Sequence, residues 1–366
     1  MKIKKLIKPF IPYGLVMWSR EKKRHATFWE LYKDFLEKEM HIDLQEESPF
    51  KYIVSIQGFG YSGSSAVLDI LREYDQTLCL GEIDPYSGAA PDEYAMEVNF
   101  LRQTGGMLEI ENYLEKHSSS LKDAVLQRFM MLIQSSPYFR YSEEARNVFF
   151  EFFNRISYSL NGVLTQSYYN THLPQADPNH PQIFVLKDMS VSEYRHLCRT
   201  CINTLFKPFY DRSHKAILVL DQFFSDGEHD KFDRNYEYCP NLKTINVWRD
   251  PRDIFAEAKR LNVEWIPTRT VEEFINWHKM VVGPRVMKDT ENYLTVRFED
   301  LLLDYDRTVS RIEKYVGLLP EQHTALHSAF DPNISIRSVR LWKNYPQYTE
   351  EFEAISKAFP DELYKE

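Results

Sequence analysis

The chain has 366 residues, 43% hydrophobic and 27% charged, the profile of an ordinary globular protein rather than of a disordered or fibrous one. A net charge of −9 argues against general affinity for nucleic acid. Four cysteines (Cys79, Cys198, Cys201, Cys239) in so long a chain make no disulfide framework and point to a reducing compartment, the cytoplasm.

The chain opens with a basic stretch: Lys2, Lys4, Lys5, Lys8, Arg20, Lys22, Lys23 and Arg24 stand against a single acid, Glu21. No apolar run there approaches the ~18 residues a membrane span needs, Pro9 and Pro12 interrupt it, and no small-residue cleavage site follows. Ile3, Leu6, Ile7, Phe10 and Ile11 beside the lysines instead suit a segment lying on a membrane surface, so residues 1–25 are expected to make peripheral contact with its inner face. Residues 27–40 have helical periodicity, with Thr27 and Glu30 at capping-box spacing.

From Lys51 onward the pattern changes to short β-branched runs alternating with helical stretches. Strands are predicted at 52–56, 183–187, 216–221, 244–248 and 293–297, and a helix at 66–74 after the first. Continuous apolar strands alternating with helices imply an α/β fold, a parallel sheet flanked by helices on both faces. Residues 92–170 have no strand signal and read as a helical insertion. The predicted organisation is an N-terminal segment and helix (1–50), one domain (51–345) and a C-terminal helix (346–366).

Between the first strand and its helix lies Gly58-Phe59-Gly60-Tyr61-Ser62-Gly63-Ser64-Ser65. Gly58 and Gly63 have the spacing of a nucleotide-triphosphatase phosphate loop, in which glycines turn successive N–H groups inward and the helix N-terminus adds partial positive charge. The position of the triphosphatase lysine is Ser64, which disfavours hydrolysis of ATP or GTP. A second strand, 244–248, runs into Arg249-Asp250-Pro251-Arg252-Asp253, placing a guanidinium where it can make forked, charge-assisted bonds to a phosphate. Cys198, Cys201 and His196 share a helical stretch but lack a fourth ligand at zinc spacing, so no metal is expected.

In order and spacing these motifs resemble the sulfotransferases that use 3′-phosphoadenosine-5′-phosphosulfate. Tyr61-Ser62-Gly63-Ser64-Ser65 is similar to the family's R/K-S-G-T-T loop, with Tyr61 in place of the basic residue. Arg249-Asp250-Pro251-Arg252-Asp253 is similar to its R-D-P-R-D, and Arg297-Phe298-Glu299-Asp300-Leu301 to its R-[FY]-E-D-L. The resemblance implies that Gly58, Gly60, Tyr61, Ser62, Gly63, Ser64 and Ser65 hold the donor's 5′-phosphate and that Arg249 holds its 3′-phosphate. It assigns Arg340, near the C-terminus, to the nucleotide as well. By the same resemblance Glu82, in Gly81-Glu82, is the base, and Lys187, in Lys187-Asp188, is the leaving-group cation, with His196 as the next candidate for base. Two further departures are Gln222, where other members have lysine, and Glu257, where the family has serine. A carboxylate at 257 is expected either to point away from the phosphate or to alter that subsite.

The implied reaction is sulfuryl transfer to a hydroxyl-bearing acceptor, without metal. The basic N-terminus suggests a glycan or lipid-linked glycan. The alternatives are a nucleotide-dependent kinase on the same fold and a non-catalytic relative that binds nucleotide or glycan.

Overall fold

The computed structural model describes residues 28–80, 100–116, 143–161, 182–223, 229–282 and 289–365, together with Leu126 and Phe129. Helix α1 (Phe28–Glu37) precedes β1 (Tyr52–Gln57), α2 (Ser64–Arg72) and β2 (Thr77–Leu80). There follow α3 (Phe100–Lys116), α4 (Glu143–Ile156), β3 (Ser157–Asn161), β4 (Gln182–Leu186) and α5 (Val191–Ser213). The chain continues through β5 (Ile217–Asp221), α6 (His229–Tyr238), β6 (Leu242–Trp248), α7 (Pro251–Leu261), α8 (Val271–Val281) and β7 (Tyr293–Arg297). It closes with α9 (Asp300–Leu303), α10 (Tyr305–Val316) and α11 (Thr349–Ala358).

Five strands form one parallel sheet in the order β2-β5-β1-β6-β7, an α/β architecture with helices on both faces. The continuous apolar strands follow from this double covering. In β1, Ile53 faces a cluster with Leu218, Leu220, Leu242 and the rings of α4 and α5, including Phe149, Phe152, Tyr194 and Phe206. Val54 and Ile56 face the opposite cluster with Val67 and Ile70 of α2 and Ile312 of α10. A strand buried on both sides has no polar face to alternate with. A third cluster, built on Phe255, Phe274 and Phe352, joins α7, α8 and α11 at the Arg249 end of the molecule.

Two expectations are corrected. The apolar run at 183–187 does not enter the parallel sheet: its strand, β4, pairs antiparallel with β3 in a separate two-stranded sheet. Residues 157–161 form that partner strand, inside the stretch read as wholly helical. Ser157-Tyr-Ser-Leu-Asn alternates too briefly to register as a strand by itself, and only its pairing with 182–186 makes it one.

The chain leaves β1 for the edge strand β2 on one side, while β6 lies on the other. The turns that follow β1, β5 and β6 therefore border a crevice at the carboxyl ends of the strands, where open α/β sheets bind ligands. The register brings Ile56 opposite Asp221, and Gln57 opposite Asn246.

Candidate functional site

The glycine loop is shaped by steric demands at two positions. Gly63, the N-cap of α2, has φ 88° and ψ 20°, a left-handed conformation that L side chains rarely adopt. A Cβ there would lie 2.2 Å from Phe298 Cδ2. A Cβ on Gly58 would lie 2.4 Å from Ser62 Oγ and 2.6 Å from Ser64 Cβ, so the loop closes on itself only with glycine at its base. Ser62 N donates to Phe59 O at 2.9 Å, tightening the turn.

No side chain caps α2. Its first residues line the crevice, and the free N–H groups and partial positive charge of a helix start suit an anion. Ser62 Oγ is buried and has no hydrogen-bond partner among the described residues.

The crevice is a cleft of about 910 Å³. Gly60, Ser64 and Ser65 border it on the loop side, Asp221 and Gln222 at the end of β5, and Arg249, Glu257 and Ser338 beyond β6. Trp265, Trp277 and Val281 add an apolar wall. Tyr61, itself left-handed at φ 62°, stacks its ring on Trp265 with centroids 6.1 Å apart and planes at 12°. Trp265 is 59% exposed, so a planar apolar surface stands open beside the phosphate loop. Asp69, one turn after Ser65, also lines the cleft; burial raises its carboxyl pKa and Arg72 pairs with it.

Arg249 directly follows β6 and is buried. Its Nη1 donates to Tyr61 O at 3.0 Å, and its Nη2 to Ser338 O at 2.7 Å and to Glu257 Oε2 at 3.3 Å. The guanidinium lies over the Phe298 ring, 5.0 Å from its centroid, and Nε is buried without a hydrogen-bond partner among the described residues. One arginine thus ties the phosphate loop, α7 and the 338 segment together at the cleft's edge. Arg249 is the one basic residue among the described residues lining the cleft, against Asp69, Asp221 and Glu257.

Glu257 does not point away from Arg249: its carboxylate pairs with the guanidinium. Residues 253 and 257 are one turn apart on α7 and present the same face, here turned toward residues 338–342. Asp253 accepts from Arg340 N at 2.9 Å and from Trp342 N at 3.0 Å. Glu257 meets Arg249 with one oxygen and Arg260 with the other.

The remaining candidates are dispersed. Arg340, with φ 55°, fixes its backbone on Asp253, and its residue borders a separate pocket of about 350 Å³ with Arg252, Trp342 and Tyr364. Lys187 Nζ donates to Asn154 O at 2.7 Å, its ammonium pKa is lowered by burial, and it does not line the cleft. His196 lies near Glu46, 3.5 Å away, also outside the cleft lining. Glu82 and residues 1–25 fall outside the described residues. Among the described residues no group of three or more His, Cys, Asp or Glu is placed to hold a metal ion, and no helix is long and apolar enough to cross a membrane.

Sequence reasoning missed Trp265 and Asp69. Asp69 carried a usable signal, a lone acid one turn into an apolar helix after the loop. Trp265 lies in an irregular segment that reaches the cleft only through tertiary packing.

Behind Arg249, Glu299 Oε1 accepts from Asp250 N at 2.6 Å, while Oε2 is buried without a partner among the described residues. Burial pushes the Glu299 carboxyl up to about 7 and that of Asp253 up to about 6. Arg297 donates to the carbonyls of Glu362 and Leu363, and Tyr364 hydrogen-bonds to Asp300 and Asp250. Arg297 and Asp300 of the Arg-Phe-Glu-Asp-Leu segment thus anchor the C-terminal tail, while its Phe298 lines the cleft.

Fold and site together define an α/β protein whose lysine-free glycine loop and buried Arg249, bonded to that loop, line one cleft. No family model and no curated protein matches the chain. Among solved structures it is similar to the sulfotransferase domain of the olefin synthase of Synechococcus PCC 7002, with 13% identity, a TM-score of 0.39, and 89% of this chain and 100% of that one covered. It is also similar to the sulfotransferase STF9 of Mycobacterium avium, with 12% identity, a TM-score of 0.38, and 92% of this chain and 82% of that one covered.

Proposed function

We propose that this chain is a sulfotransferase that takes a sulfuryl group from 3′-phosphoadenosine-5′-phosphosulfate and passes it to an acceptor hydroxyl. The observation that carries the reading is the uncapped start of α2 behind a lysine-free glycine loop, with Arg249 bonded to that loop and lining the same cleft. The loop amides and the partnerless Ser62 hydroxyl suit the oxygens of a 5′-phosphate, and the Arg249 corner suits a second phosphate.

In the reaction the acceptor oxygen attacks sulfur, the bond from sulfur to the phosphate oxygen breaks, and adenosine 3′,5′-bisphosphate leaves. The acceptor proton must go to a base, and Glu82 is proposed for it. The stacked Tyr61–Trp265 rings at the mouth suit a planar or sugar-like group. Lys187 is held by Asn154 O away from the cleft lining, so charge on the departing phosphate falls to the loop amides and the helix end.

The test is a comparison of thermal shifts. Adenosine 3′,5′-bisphosphate at ~100 times its dissociation constant adds about 2.7 kcal/mol of stability, and magnesium-ATP adds much less. Equal shifts remove the reading. With an acceptor found by screening glycans and phenols against labelled donor, Glu82→Gln lowers turnover roughly 10²–10⁴-fold with donor affinity unchanged.

A second reading, a magnesium-dependent kinase, draws support from Asp221 at the end of β5 and Asp69 on α2, two carboxylates at the same cleft. Ser64 at the position of the triphosphatase lysine speaks against it, and the magnesium-ATP arm of the same experiment decides.

A further inference from the structure

Arg249 is the one basic residue among the described residues that line the cleft, and its charge is already answered from within the chain. Nη2 gives one hydrogen to Ser338 O and the other to Glu257 Oε2, while Nη1 is engaged by Tyr61 O. A guanidinium binds a phosphate best with two parallel N–H groups, and here both terminal nitrogens carry protein partners. Glu257 is itself only 12% exposed and lines the cleft, so it is not a solvated acid that water would screen away. A carboxylate and a phosphate cannot share this one cation at contact distance without strong repulsion in a partly buried site.

Glu257 has a second basic partner. Its other oxygen is held by Arg260, one turn further along α7, whose side chain is 45% exposed. A change of side-chain torsion moves the carboxylate fully onto Arg260 without unfolding the helix. The geometry therefore provides a resident anion on Arg249 and a place for that anion to go.

We infer that Glu257 is the specificity residue of the Arg249 subsite, a built-in counter-anion that a nucleotide's 3′-phosphate must displace toward Arg260. This rests on the assignment of the cleft to a nucleotide, and it deepens that assignment by setting how strongly the 3′-phosphate is selected. In this chain 3′-phosphorylation adds less to nucleotide affinity than an Arg249 without its internal partner would give.

Isothermal titration with adenosine 3′,5′-bisphosphate and with adenosine 5′-monophosphate, at one fixed salt concentration, measures the ratio of their affinities. Glu257→Gln keeps the shape and removes the charge, and raises the ratio in favour of the bisphosphate at least about tenfold, through binding of the bisphosphate. An unchanged or lowered ratio overturns the inference. Should Glu257→Gln fail to fold, Arg260→Ala decides, because it removes an exposed side chain. It leaves Glu257 more firmly on Arg249 and lowers the ratio about threefold, and an unmoved ratio overturns the inference. The two levels separate cleanly. If neither nucleotide binds the wild-type protein, the nucleotide assignment falls and the inference with it. If both bind and the ratio does not move, only the inference falls.

Discussion

Two neighbouring strands, β1 and β6, end side by side at the cleft, and the segments that follow them satisfy their polar groups in opposite ways. At the end of β1 the loop leaves them open: α2 has no side-chain cap, and Ser62 Oγ has no hydrogen-bond partner among the described residues. At the end of β6 most are answered: Arg249 donates to two carbonyls and a carboxylate, Asp250 caps α7, and Glu299 accepts from Asp250 N. An open polar group stabilises nothing until a ligand arrives, whereas a satisfied buried one holds the fold and must be released before it can bind. The loop thus keeps polar groups open at the cleft, whereas the arginine corner uses most of its groups within the fold.

The most direct way to break this contrast is Arg249→Ala. It takes from Glu257 one of its two basic partners, leaving Arg260, and leaves the carbonyls of Tyr61 and Ser338 without their donor. The expected loss is about 2–5 kcal/mol in urea unfolding, mostly from acceptors left unsatisfied. A loss below ~1 kcal/mol means the corner is not structural.

The same corner makes stability depend on pH. The Glu299 carboxyl, raised to about 7 from an ordinary value of 4.5, is favoured in its neutral form by the fold. Its stabilising contribution is complete below the unfolded value and is lost as pH rises through about 7. Unfolding free energy is therefore expected to fall between pH 5 and 7.5, with roughly 3 kcal/mol as the upper bound from this one group. Asp253, raised to about 6, contributes in the same direction over a lower window. Glu299→Gln keeps an acceptor for Asp250 N and removes its share of the slope. A slope identical to wild type sinks the assignment.

The smallest effect sharpens the other side. Ser62→Ala deletes a hydroxyl with no hydrogen-bond partner among the described residues, so stability is expected to change by less than ~0.5 kcal/mol. Affinity for adenosine 3′,5′-bisphosphate falls by about 1 kcal/mol, close to fivefold, if that hydroxyl serves the ligand. Stability loss with unchanged binding places Ser62 with the architecture and erases the contrast.

How far each region was legible follows the same division. The strand runs at 52–56, 216–221, 244–248 and 293–297 each correspond to a strand of the parallel sheet, because a strand buried on both faces is mostly apolar even where it keeps a buried Ser55 or Thr244. Gly58 was legible because its steric exclusion comes from Ser62 and Ser64 close by, and Gly63 because its left-handed φ is a local demand. The Phe298 ring that also excludes a Cβ at Gly63 comes from far along the chain. Arg249 was legible as the residue ending a buried strand.

Other features were decided by segments far apart in the chain. Glu257 was flagged as out of place, but its partner Arg249 is held from far along the chain, by Ser338 O 89 positions away. The run at 183–187 has the composition of a parallel strand, yet it pairs with 157–161, since apolar β-branched residues fit either sheet and only available edges choose between them. Lys187 follows that strand and is carried with it to Asn154 O, outside the cleft lining. Backbone sterics and burial are set residue by residue and can be read along the chain. Which charge meets which is set by packing in three dimensions, where desolvation and distance select one partner among many.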